Sequence, residues 1–138
     1  MINWDQKRYF PCRPADPEGV WRIVHGSIVI LVAGTPEGPS PHWIAHANDV
    51  INSIDRHCTT AMKYLDAFVD RQRIAAGSTW IIMSAEFGPI ELGQANARFV
   101  LNFQLDGDEY GLWSVAFKST GLPEPHDVGP SRIQRQQI

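Results

Sequence analysis

The sequence predicts an α+β fold: a mostly antiparallel sheet of five to six strands with one long helix, about residues 41–76, packed on one face. Three observations predict it. Apolar residues recur in steps of three and four from Trp43 to Val69, a single stripe on a helical surface. The segments on either side are β-branched and aromatic runs, several alternating at period two. Clusters of Gly, Pro and Asp separate these runs.

Residues 1–19 mix Trp4, Tyr9 and Phe10 with three prolines, so an irregular arm is expected, anchored by Trp4 and Phe10. Residues 20–33 hold two β-branched runs around His25-Gly26. A two-residue turn there pairs Trp21 with Ile30 and Ile23 with Ile28. The second run is apolar on both sides, which places it centrally in the sheet. Residues 34–40, GTPEGPS, form a loop. It lacks the Gly-Lys-Ser/Thr ending of a phosphate loop, and its prolines remove two backbone donors.

The helix should start with Ser40 as N-cap and Pro41 in its first turn, and close at Gly77. Unbroken it would be about 50 Å long. A five- or six-stranded sheet spans only about 25–30 Å. Either the helix breaks, near Thr59-Thr60, or one end projects. Ser78 to Phe87, Ala95 to Leu105 and Tyr110 to Ser119 read as the closing strands. Phe99, Leu101, Phe103 and Leu105 point one way; Val100, Asn102 and Gln104 point the other. An odd-numbered loop between the last two strands puts Phe103 and Trp113 on one face, and burial should select it. Residues 120–138 hold three prolines and are expected as a poorly ordered tail, docked through Ile133. The whole, 1–138, reads as a single domain.

Composition narrows the function classes. A net charge of −3 argues against nucleic acid as a partner. The longest apolar run, Ile28 to Ala33, is too short to span a membrane. The start, MINWDQKRYF, lacks the apolar stretch of a signal peptide, so the default location is the cytoplasm. Cys58 lies in the helical stripe and reads as a small core residue. Cys12 has no neighbouring base, and the pair makes a poor case for a disulfide.

Three constellations could carry chemistry. His42, His46 and Asp49 stand at helical spacings of four and three, on a face pointing away from the core. Two histidines at i and i+4 with a carboxylate can hold zinc. The zincin pattern needs Glu directly after the first His, however, and Trp43 stands there. A solvent-facing helix surface also lacks the outer partners that orient imidazoles. The expectation is therefore a solvated face, no metal and no cofactor. His46, Ser53, His57 and Tyr64 lie at the edge of the stripe. His46, His57 and Tyr64 are the candidates to line a pocket where helix and sheet diverge, against the simpler reading of edge residues covering core. No oriented His–Asp pair can be assigned to Ser53. Glu86, Glu91, Asp106, Asp108 and Glu109 outnumber Arg98 and Lys118 in the last strands. Asp106, Asp108 and Glu109 at the hairpin tip could steer a basic protein partner. The full calcium-loop pattern is absent there.

The plan of a short β N-terminus, the long helix ending MKYLDAFVD and the closing meander FVLNFQLDGDEYGLWSVAFKS resembles small bacterial α+β domains of unknown function, some of them toxin-immunity proteins. The resemblance covers about Val20 to Ser119. It implies a non-enzymatic binding protein and assigns no site. Two readings follow. The first is a non-catalytic cytoplasmic interaction protein that binds a protein partner through its acidic hairpin. The alternative is a small hydrolase or ligand-binding domain, metal-dependent or not, with a pocket between helix flank and sheet. The amount of apolar surface on arm and helix also predicts a homodimer.

Overall fold

The computed structural model describes residues 5–7, 19–74, 76–88, 97–108, 111–124 and 126–137. Its strands are β1 (Asp5–Lys7), β2 (Gly19–His25), β3 (Ile28–Thr35), β4 (Gly38–Pro39), β5 (Trp80–Phe87), β6 (Phe99–Leu105), β7 (Gly111–Ser119) and β8 (Val128–Gln137). The helices are α1 (Pro41–Ile51), α2 (Ile54–Phe68) and the single turn α3 (Arg71–Ile74), all between β4 and β5. Seven strands run in the order β1-β2-β3-β5-β6-β7-β8, and β4 pairs with β3 off that path. Among the described strands only the β3–β5 pair is parallel, and the helices between them supply the crossover that a parallel pair needs. The fold is α+β with a mostly antiparallel sheet.

The sheet is wider than the five to six strands expected, because both ends of the chain join it. Residues 5–7 of the supposed irregular arm pair with β2. The supposed tail supplies β8, ten residues paired along all of β7. Pro130 disguised this strand. Proline gives no ladder donor, but it is tolerated on an edge, and β8 is an edge. Ile133 does pack on the core. The expectations for Trp4, Phe10, Cys12, Glu91 and Glu109 fall outside the described residues.

The single long helix is replaced by two, and the break lies at Asn52-Ser53 rather than Thr59-Thr60. Asn52 N–H still bonds Asn48 O (3.1 Å), but Ser53 N–H tightens to Val50 O (3.0 Å), and Ser53 leaves helical space at φ −126°, ψ 27°. Asn and Ser compete for backbone hydrogen bonds and so suit a break. The threonines instead sit inside α2, where Thr59 and Thr60 Oγ1 donate to the carbonyls of Asp55 (2.9 Å) and Arg56 (3.0 Å). Ala47, Val50, Ile54, Cys58, Ala61 and Leu65 are all buried. Their spacing keeps helical phase straight through the break, which is why the stripe reads as one helix. The stripe ends earlier than expected: Val69 packs on the core, but Phe68 is 72% exposed. Ser40 occupies the N-cap of α1 without making a side-chain cap bond.

The core lies between this stripe and one sheet face. Phe99 faces Phe117, Leu101 faces Val115 and Phe103 faces Trp113 across β6 and β7, all buried. The connection of residues 106–110 is thus odd-numbered, and Phe103 and Trp113 share the helix-covered face. At one end of the core Trp80 and Trp113 meet edge to face at 5.6 Å. Their indole N–H groups donate to Asp66 of α2 (2.9 Å) and Asp108 of the hairpin (3.1 Å). The β2–β3 turn is Gly26-Ser27, one residue later than expected, so Trp21 pairs with Val32 and Ile23 with Ile30. Gly26 explains the choice: its φ of +62° at the first central position suits a mirror-image hairpin turn, which His25 would resist.

The opposite sheet face is also buried, and partly polar. Asn102 Nδ2 donates to Ser84 Oγ (2.9 Å) and to the Glu86 carboxylate (2.6 Å), while Ser114 Oγ donates to Asn102 Oδ1 (2.6 Å). Glu86 is 4% exposed, so it does not belong to a solvated acidic patch.

Candidate functional site

The helix break opens a recess of about 380 Å³ between the helices, the start of β6 and the loop before β8. That volume is at the small end of ligand pockets, which run about 300–1,000 Å³. Helix α1 contributes His46, Asp49 and Val50; the break contributes Asn52 and Ser53; α2 contributes Arg56 and His57. Arg98, just before β6, and Phe99, its first residue, enter from one side; Glu124 and Asp127 come from the last loop and Val128 from the start of β8.

Each wall is held by local bonds. Arg98 N–H donates to Phe117 O (2.7 Å) and its Nη1 to Ser119 Oγ (3.3 Å). Thr120 staples the last loop, donating through its hydroxyl to His126 O (2.5 Å) and through its amide to Asp127 O (2.9 Å). The floor is aromatic. Phe99 and Phe117 stack at 4.5 Å, and His57 stands edge-on to both, at 5.2 and 5.8 Å. His46 stands edge-on to Phe87 at 5.7 Å and reaches Phe99 at 6.0 Å.

Both imidazoles are held neutral around neutral pH. Burial pushes the pKa of each below its ordinary value, and a nearby guanidinium adds to this: Arg98 for His46, Arg56 for His57. Asp49 and Asp127 respectively pull the other way, more weakly. Arg98 Nη2 makes a long contact of 3.5 Å to His46 Nδ1. A guanidinium only donates, so this contact leaves the His46 proton on Nε2. That atom is sealed from solvent. The Arg98 carbonyl favours its proton without reaching hydrogen-bond geometry.

His57 differs. It is 7% exposed, and its ring nitrogens make no hydrogen bond among the described residues, yet neither is sealed from solvent. Their outlet is the recess that His57 lines. Cys58, next along α2, is a buried free thiol whose pKa burial pushes up to about 11, so it is inert at neutral pH.

Of the sequence-derived candidates, His46 and His57 meet in this recess. Tyr64 does not; it lies against Phe68, ring to ring at 4.9 Å. His42, His46 and Asp49 do not share an outward face. His46 turns in to Phe87 and Phe99, while His42 and Asp49 are exposed. Among the described residues no group of three His, Cys, Asp or Glu side chains is placed to hold a metal. Asp108 is committed within the chain. Arg135 grips its carboxylate at 3.0 and 3.3 Å, Trp113 Nε1 adds a third bond, and the Arg135 guanidinium lies 5.5 Å from the Trp113 ring centre. Arg135 thereby holds the Asp108 carboxyl below the usual carboxylate range. Asp106 is exposed.

Arg98, Phe99 and Asp127 are the site residues that sequence reasoning missed. For Arg98 there was a signal: a lone cation opening an apolar strand. For Asp127 there was none, because its place depends on β8 returning alongside β7. No helix among the described residues is long and apolar enough to cross a membrane. Comparison of the chain with protein-family models, with curated proteins and with solved structures returned no match.

Proposed function

We propose that this chain is a ligand-binding domain whose site is the recess at the α1–α2 break, and that it takes a small polar molecule without transforming it. The observation that carries the reading is His57. Its ring nitrogens are unbonded among the described residues and open only into the recess, so whatever fills the recess is what they bond, and buried polar groups are normally paired. A ligand in the recess would supply the pairing. Half-buried Arg98 and the phenyl floor add the mix of apolar surface and few polar groups that small-molecule sites share.

Binding is favoured over hydrolysis by one geometric fact. Ser53, His57 and Asp127 all line the recess, but among the described residues no side-chain hydrogen bond joins the Ser53 hydroxyl to the His57 ring or that ring to Asp127; Ser53 and His57 meet only through the backbone, His57 N–H to Ser53 O (3.1 Å). A nucleophile needs that relay. A protein partner docking on the acidic hairpin has less support, since Asp108 already serves Arg135 and Trp113.

The test is NMR of the histidine ring protons during titration with small carboxylates, phosphate monoesters and free amino acids. Saturable movement of the His57 resonances, with weaker affinity in a folded Arg98→Gln variant, is the expected result. Resonances that no compound moves at millimolar concentration would overturn the proposal.

A further inference from the structure

The recess is lined by charges of both signs. Arg98 and Asp127 are both half-buried, stand on different elements, and take part in no ion pair among the described residues. The recess lining also carries Arg56 and Asp49, but both are exposed to solvent. Phe99 lies between, touching both imidazoles, at 6.0 Å from His46 and 5.2 Å from His57. The half-buried charges of the recess are thus one cation and one anion, over an apolar floor.

Charges removed from water are costly unless paired. Arg98 and Asp127 do not pair with each other, so an occupant that answers only one of them leaves the other uncompensated. A simple anion would satisfy Arg98 and be repelled by Asp127 and Glu124, which line the same recess. A simple cation would meet the reverse. We infer that the ligand is a zwitterion of amino-acid size: its carboxylate lies on Arg98, and its ammonium lies on Asp127 and a ring nitrogen of His57. The guanidinium fork suits a carboxylate, and an ammonium offers three donors to carboxylate and imidazole. This rests on the recess being a binding site and adds the charge pattern of what it holds.

The experiment uses the free L-amino acids as probes, with the carboxamide and the N-acetyl derivative of each one that binds. The readout is the same His57 resonances, with affinities from isothermal titration. At least one free amino acid should bind saturably, and each single-charge derivative should bind about tenfold more weakly or worse, about 1.4 kcal/mol. Two variants divide the roles. Asp127→Asn should abolish the preference over the N-acetyl derivative and keep the preference over the amide. Arg98→Gln should do the opposite. Circular dichroism establishes that each variant is folded, and the preferences are compared within one variant, so a general loss of affinity does not mimic either result. If simple carboxylates or phosphates move His57 as strongly as any amino acid, the zwitterion is wrong and the binding site stands. If nothing moves it, both readings fall.

Discussion

Asp108 looks like a solvated turn acid but behaves as a clamp, joining the β6–β7 connection to β8 through Arg135 and to the core through Trp113. Asp108→Asn should lower stability by about 1 kcal/mol, a modest figure because the Arg135 side is 41% exposed and screened. The sign with pH follows from the depressed carboxyl. Its contribution is complete above the ordinary carboxylate pKa and disappears as pH falls through the lower folded value. Urea unfolding of parent and variant should therefore differ at neutral pH and converge in strong acid. Equal midpoints at neutral pH would show the clamp to be ornamental. The sequence offered Asp108 only as one of several acids, because Arg135 is 27 residues away along the chain.

Among the elements, the Asn52-Ser53 break places Ser53 at the N-cap of α2 without a side-chain cap bond. A bonded cap is worth about 1 kcal/mol. Ser53→Ala should instead change stability by less than about 0.5 kcal/mol, as judged by thermal unfolding. A larger loss would mean the hydroxyl holds the break together. Strand β8 makes the opposite prediction. A chain ending at Asp127 would strip the whole β7 edge and uncover contacts made by Val128 and Ile133. It should lose cooperative unfolding. A truncated chain with an unchanged urea midpoint would return residues 128–137 to the status of a tail. These two elements mark the limit of what the sequence could tell. Period-two alternation placed β6 and β7 and even the parity of their loop, since burying Phe99, Leu101 and Phe103 with Trp113, Val115 and Phe117 leaves one choice. The helix break was hidden by a stripe that keeps phase across it. Strand β8 was hidden by proline and arginine, which an edge accepts and a central strand would not. The recess depends on both, so His46 and His57 could be proposed as neighbours while Arg98 and Asp127 could not.

Over the whole molecule, the two buried imidazoles set a pH dependence. Both fold with pKa values below the ordinary 6.5, so the unfolded chain takes up protons first as pH falls. Stability is complete above that value and declines below it until the folded pKa values are passed. The groups facing His46 are Arg98, Asp49 and His42; those facing His57 are Arg56, Asp127 and His46. Urea midpoints should fall between about pH 7.5 and about pH 5.5. The fall should be smaller in His57→Phe, which keeps a ring against Phe99 and Phe117. An unchanged pH profile in that variant would assign the effect elsewhere.

Trp80 and Trp113 are light absorbers as well as core residues. Two indoles in van der Waals contact with crossed transition dipoles form one coupled chromophore, and the molecule carries it at the junction of three strands, a helix and a hairpin. The pair should produce an exciton couplet in the far-ultraviolet circular dichroism, superimposed on the helix and sheet signal. Trp80→Phe and Trp113→Phe should each erase the whole couplet rather than half of it, because neither ring generates it alone. During unfolding the couplet should vanish as soon as β5 and β7 separate across β6, even while α2 is still helical. It thus provides an optical clock for the sheet, separate from the helices, without any added label.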